Sequence, residues 1–167
     1  METYRVTGEA PVWQKRLYDY VRIDAFCIGQ GIPPELEFKG DEAESDLQAI
    51  VLADGTNPLA GCRITYPEEG LAKIGRVCVA RSHQKSGIGR KLLEEAEKWI
   101  SENGVSHIVI SSQDRAAGFY QKAGYVLNAS EDPDRYETHK KAESKSKSQE
   151  EQRKSLGFSC VLVEKYL

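Results

Sequence analysis

The chain has 167 residues, of which 40% are hydrophobic and 29% charged, and a formal net charge of −3 at pH 7. That length predicts one domain over residues 1–167, with a core large enough to need no staple. It contains no run apolar enough to cross a membrane and no signal-like apolar start, and it lacks the basic, aromatic-interleaved face of a nucleic-acid binder. The cysteines Cys27, Cys62, Cys78 and Cys160 lie far apart, with no CxxC or Cys/His spacing. They are expected to be free thiols in the reducing cytoplasm, and no metal site is predicted.

Residues 3–6 form a short candidate strand. Pro11 suits the first turn of a helix. That helix is predicted over 12–28, where Val12, Trp13, Leu17, Tyr20, Val21, Ala25 and Ile28 recur at helical spacing. The Gly- and Pro-rich segment 29–34 ends it. Residues 35–46 then hold six acids and one lysine, a local charge that would attract a cationic amine. Strands are predicted over 48–53 and 59–66, joined by the turn residues 54–58. A second turn at 67–70 leads into the strand 71–80.

From Ile88 a helix is predicted, with Ile88, Leu92, Leu93, Ala96, Trp99 and Ile100 on one face and Gly104 as its stop. A strand over 107–111 and a helix over 114–123, capped by Asp114 and stopped by Gly124, come next. Strands at 125–128 and 158–165 close the sheet. Between them, residues 139–155 are almost devoid of apolar side chains and rich in Lys, Ser, Glu and Gln. They are read as a flexible lysine-rich insertion with no face to bury.

The densest chemistry lies where the strand ending Val77-Cys78-Val79 meets the helix at Ile88, through Arg81-Ser82-His83-Gln84-Lys85-Ser86-Gly87. A helix start exposes unpaired N–H groups at the positive end of its dipole. Glycines let that backbone approach a ligand closely, and Lys85, Arg90 and Lys91 add charge. This is a pocket for a phosphate or pyrophosphate. Gly89 is not followed by Lys-Ser or Lys-Thr, which excludes a Walker loop. Leu92 stands where a dinucleotide fingerprint needs its third small residue. His83 belongs to this loop and is read as surface structure.

The remaining pattern, Gln84-x-x-Gly87-x-Gly89, resembles the acetyl-CoA pyrophosphate loop of the GNAT acyltransferases. The run Gln113…Ala117…Phe119-Tyr120-x-Lys122-x-Gly124-Tyr125 resembles the GNAT segment that closes on the pantetheine arm. Arg22-x-x-Ala25-Phe26-x-x-x-Gln30-Gly31-Ile32-Pro33, followed by Glu35 and Glu37, is similar to the N-terminal signature of the ElaA-like branch. The end of the chain, 157–165, is similar to that branch's last strand. The likeness spans nearly the whole chain and is strongest in 74–125. The chain departs from that branch at Gly29, Lys39 and Cys160, all in the acceptor half.

The resemblance implies an α/β fold of GNAT type: a mixed, mostly antiparallel central sheet of six to seven strands flanked by helices, with splayed strands holding acyl-CoA. It implies an acetyl-CoA-dependent N-acetyltransferase acting on a primary amine, a small cationic molecule. The donor would be held by Val77, Cys78, Val79, Gln84, Lys85, Ser86, Gly87, Ile88, Gly89, Arg90, Gln113, Phe119, Tyr120 and Lys122. Tyr120 is the expected acid to the leaving thiolate. Glu37 and Asp41 are the candidate bases, either of which would take the amine's proton directly or through water. Two alternatives stay open: a non-catalytic CoA-binding sensor, and an acyltransferase acting on a protein or an aminoacyl-tRNA. A homodimer is among the possible assemblies.

Overall fold

The structure is a computed structural model, described here for residues 1–39, 41, 44–136 and 159–167. The lysine-rich segment 139–155 lies outside the described residues. A seven-stranded sheet runs in the order β1-β2-β3-β4-β5-β7-β6. Its strands are β1 (Glu2–Thr7), β2 (Gln48–Asp54), β3 (Asn57–Glu68), β4 (Leu71–Val79), β5 (His107–Gln113), β6 (Val126–Asn128) and β7 (Cys160–Tyr166). The β1–β2, β2–β3, β5–β7 and β6–β7 ladders are antiparallel, whereas Leu71–Lys73 of β4 pair in parallel with 107–109 of β5. The chain forms two compact units, residues 1–65 with 74–102 and residues 66–73 with 103–167.

In the first unit, β2 is buried on both faces: every side chain from Ala49 to Ala53 is fully covered. Strand alternation explains how. Ala49, Val51 and Ala53 cluster with Val6, Leu17 and Tyr18, the last two from α1 (Val12–Arg22). Ile50 and Leu52 point the other way. The long helix α2 (Ile88–Glu102) also contacts β2 and buries Leu92, Leu93, Ala96, Trp99 and Ile100, the face its periodicity predicts.

The predicted helix 12–28 is present, but α1 passes at Arg22 into a π-helical turn, Ile23–Ile28. There the Gly29 N–H reaches back five residues to Asp24 O. Over one turn the π and α periods are too close for apolar spacing to tell them apart. Gly31, at φ 72°, ends the helix: the following Ile32 N–H donates to Phe26 O at 3.1 Å, six residues back and one more than the Schellman bond spans, so the wide π turn carries into the helix stop. A short helical turn, Pro34–Glu37, follows.

In the second unit, β5 and β7 pair along their full lengths and β6 adds to β7. Leu71, Val109 and Leu162 form its core, with Tyr136 against them. The predicted helix 114–123 divides into a 3₁₀ turn, Asp114–Ala116, and α3′, the short helix Ala117–Lys122. Asp114 does not cap it; its carboxylate accepts a hydrogen bond from Ser159 Oγ. Tyr125 was expected to begin a strand. Its N–H instead bonds Tyr120 O at 3.0 Å and closes the helix, so β6 starts one residue later.

Candidate active site

The loop between β4 and α2 is built from local bonds. Ala80 N–H donates to Leu59 O at 2.8 Å and anchors the end of β4 to β3. A 3₁₀ turn follows, Arg81–His83, with His83 N–H bonded to Ala80 O. Ser86 Oγ donates to His83 O, folding the loop back on itself. Lys85 and Gly87 both sit in the left-handed region, at φ 61° and 88°. Lys91 N–H is bonded to Gly87 O at 3.2 Å. The N–H groups of Ile88 and Gly89 come before that bond and have no acceptor within the helix. A Cβ built on Gly87 would meet nothing within 4 Å, so this turn faces open space.

Lys85 and Ser86 are exposed, Arg90 is paired with Glu94 at 3.4 Å, and Lys91 with Glu95 at 3.1 Å. His83 packs its Nδ1 against Ser82 Oγ at 2.8 Å on the surface, as expected of loop structure. The loop has a support that sequence reasoning missed. Asp24, in the π turn, accepts the Arg81 N–H at 2.8 Å and the Arg81 guanidinium at 3.2 and 3.3 Å. The π turn therefore grips the phosphate-loop candidate at its first residue.

On β4 the three expected donor contacts divide by strand alternation. Val77 and Val79 are half-buried, whereas Cys78 packs with Val21, Ala25 and Ala80 and donates to Gly61 O at 3.6 Å. Burial pushes the Cys78 thiol above its ordinary range, so it stays protonated, and the Cys62 thiol is pushed up to about 12 for the same reason.

Glu37 and Asp41 come together, but each is held by arginines. Arg22, fully buried, gives Nε to Glu37 Oε2 at 3.2 Å and one amino group to Glu37 O at 3.0 Å. Its fork grips Asp41 at 3.0 and 3.1 Å. The guanidinium lies between the rings of Tyr18 and Phe38, at 4.9 and 4.3 Å. Arg76 approaches Glu37 Oε2 at 3.1 Å and Arg63 approaches Asp41 Oδ1 at 3.1 Å. Among the described residues, Glu37 Oε1 and Tyr18 OH are buried without a hydrogen-bond partner. Arg76 lies inside a strand yet has φ 53°, a strained position for a side-chain-bearing residue. The arginines had one signal in the sequence: Arg22 falls on the apolar side of α1, with Tyr18, Val21 and Ala25.

The other expected donor contacts lie in the second unit. Gln113 ends β5 and its Oε1 accepts from Arg115 Nε at 3.1 Å. On α3′, Phe119 is exposed, Lys122 is exposed, and Tyr120 is buried with its ring edge-on to Phe119 at 5.1 Å and Tyr125 at 6.0 Å. Lys165 extends over the Tyr125 ring and caps α3′ by donating to Ala123 O at 2.9 Å. Among the described residues, no group of three or more His, Cys, Asp or Glu is placed to hold a metal, and no helix is long and apolar enough to cross a membrane.

Residues 14–125 match the family model described as the acetyltransferase (GNAT) family. The chain is 35% identical over 113 residues to an uncharacterized N-acetyltransferase, YjcF, of Bacillus subtilis (strain 168), covering 67% of this chain and 79% of the relative. Its fold is similar to Escherichia coli ElaA, with a TM-score of 0.72 at 16% identity over 99% of both chains. It is also similar to the catalytic domain of Tetrahymena GCN5 histone acetyltransferase in complex with coenzyme A. That match has a TM-score of 0.63 at 14% identity, over 99% of this chain and 92% of that one.

Proposed function

The chain belongs to the acetyltransferase (GNAT) family and is an acyltransferase, and from that premise we propose that it moves the acetyl group of acetyl-CoA to the primary amine of a small molecule in the cytoplasm. The observation that supports the donor half is the open turn at Gly87, where a Cβ would meet nothing within 4 Å, directly before the start of a fifteen-residue helix. Such a turn binds a pyrophosphate through fixed backbone dipoles. Lys85, Ser86 and Arg90 add side-chain contacts, and Gln84 enters the same turn. The backbone of Val77, Cys78 and Val79 pairs with the pantetheine amides as an added strand would. Gln113, Phe119 and Lys122 line the remainder of the arm.

A small primary amine is an ammonium cation in water and must lose a proton before it attacks. Glu37 is the favoured base: among the described residues no donor meets its Oε1, whereas both Asp41 oxygens accept from arginines. Asp41 then serves to hold Arg22 and Arg63. The amine nitrogen attacks the thioester carbonyl carbon, the C–S bond breaks, and Tyr120 gives its phenolic proton to the departing thiolate.

The test is release of free CoA thiol from acetyl-CoA in the presence of a panel of primary amines, with mass spectrometry of the product. The expected result is amine-dependent thiol release with a mass gain of one acetyl group on the amine. CoA binding without turnover of any amine would favour a sensor in place of an enzyme.

A further inference from the structure

The π turn Ile23–Ile28 is held to the end of β4 by three kinds of contact. Ala25 packs with Cys78 and Ala80, and Phe26 lies against the same cluster. Asp24 takes three hydrogen bonds from Arg81: the N–H on Oδ2 at 2.8 Å, and Nε and Nη2 on Oδ1 at 3.3 and 3.2 Å. The Arg81 methylenes rest on Gly29, the residue after the turn. A Cβ there would lie 3.3 Å from Arg81 Cδ and 3.3 Å from Asp24 O, closer than a Cβ usually comes to a neighbour. Asp24 and Arg81 are 33% and 51% exposed, so their pairing adds little stability. What three bonds to one carboxylate fix is position.

Arg22 stands immediately before the same turn and faces another way, since residues two apart on a helix do not share a side. It holds Glu37 by carboxylate and carbonyl, and Asp41 by its fork. The backbone between the turn and Glu37 is bonded throughout. Gly29 N–H donates to Asp24 O, Ile32 N–H to Phe26 O, and the Leu36 and Glu37 N–H groups to Pro33 O. One short turn thus carries the grip on Glu37 at residue 22 and the grip on the glycine loop at residue 24. Single π turns recur at functional sites. We propose that Asp24 and Arg81 are positioning residues that tie the segment 23–37 to the β4–α2 loop, so that donor binding at the loop steadies the segment that carries Glu37. The inference rests on the reading of the loop as the acetyl-CoA site and of Glu37 as the base. By linkage, the amine binds more tightly to the donor-bound enzyme, and the donor to the amine-bound enzyme, by the same factor.

Hydrogen–deuterium exchange of the full chain, read by mass spectrometry with and without saturating CoA, tests the tie. In the wild type, CoA should slow exchange in the β4–α2 loop. It should also slow exchange in 23–37 by about fivefold, the low end of a coupling between sites. Ligand binding also stabilises a fold as a whole. β1, in the same unit and separated from β4 by two strands, is the reference for that general slowing, which 23–37 must exceed. Arg81→Ala keeps the backbone bond to Asp24 and loses the guanidinium. At saturating CoA its loop should still be protected, while the protection of 23–37 falls toward that of β1. Gly29→Leu leaves both charges in place and fills the space of the Arg81 methylenes. It should act in the same way, and it serves where Arg81→Ala fails to fold. Protection confined to the loop in the wild type would overturn the proposal, as would undiminished protection of 23–37 in both variants. If CoA protects neither the loop nor 23–37 in the wild type, the donor reading itself fails and the tie falls with it.

Discussion

Arg22 shows at one residue how a charge is kept in a core. It spends its donors on Glu37 and Asp41 and its two faces on Tyr18 and Phe38. Among the described residues, Arg22→Ala leaves Glu37 buried with Arg76 and leaves Asp41 with Arg63. Breaking a buried pair by removing one partner costs about 3 kcal/mol, so urea unfolding of the variant should show a loss of that order. Tyr120 is a test of chemistry rather than packing. Its ring fills space between Phe119 and Tyr125, and Tyr120→Phe keeps the ring. Turnover should fall by up to about 10²-fold, the lower end for a positioned acid, because a thiolate leaves readily. CoA affinity, followed by calorimetry, should stay within twofold or so of the wild type. Unchanged turnover would make Tyr120 a packing residue.

The decisive element is the β4–loop–α2 unit. Its loop geometry at a helix start was legible because two glycines, a polar loop and an amphipathic helix are contiguous, and local geometry follows from local sequence. Gly89→Glu puts a carboxylate on the first turn without demanding a left-handed backbone, which Gly87 does require. The variant should fold normally and lose CoA affinity at least about tenfold, read by calorimetry. The clamp from the π turn was not legible, since nothing in the spacing reveals that Asp24 meets the Arg81 N–H. Asp24→Ala removes an acceptor at the start of that turn, comparable to losing a helix cap. A cost of about 1 kcal/mol corresponds to a roughly fivefold rise in the KM for acetyl-CoA, with kcat unchanged. A fall in kcat at constant KM would assign Asp24 elsewhere.

At the scale of the whole molecule, the buried ionisable groups set an alkaline limit. The Cys62 and Cys78 thiols and the Tyr18 phenol all keep their protons in the folded state to higher pH than in the unfolded chain, because burial disfavours their charged forms. A thiol in the unfolded chain ionises near pH 8.5. The folded state then binds more protons, so stability is full below that pH and falls as pH rises, by up to about 1.4 kcal/mol per pH unit for each group. The melting temperature should decline from about pH 9 upward. Cys78→Ala should lessen the slope of that decline while leaving the Cys62 share in place. A slope identical in the variant would mean Cys78 ionises freely in the fold.

What the chain by itself determined was the order of its strands and main helices and the place of the glycine loop between β4 and α2. Apolar spacing, proline and glycine positions and helix-start geometry act over a few neighbouring residues, and the contiguous motif from Val77 to Arg90 carries its own chemistry. What only the tertiary structure decided was the fate of the charges. Glu37 and Asp41 read in sequence as an acidic stretch that would attract cations. Folded, they meet Arg22, Arg63 and Arg76 from α1, β3 and β4, so both carboxylates are paired with cations of the same chain. Electrostatics at a site depends on distances between residues remote in the chain and on how much water remains among them, and neither is written in local sequence.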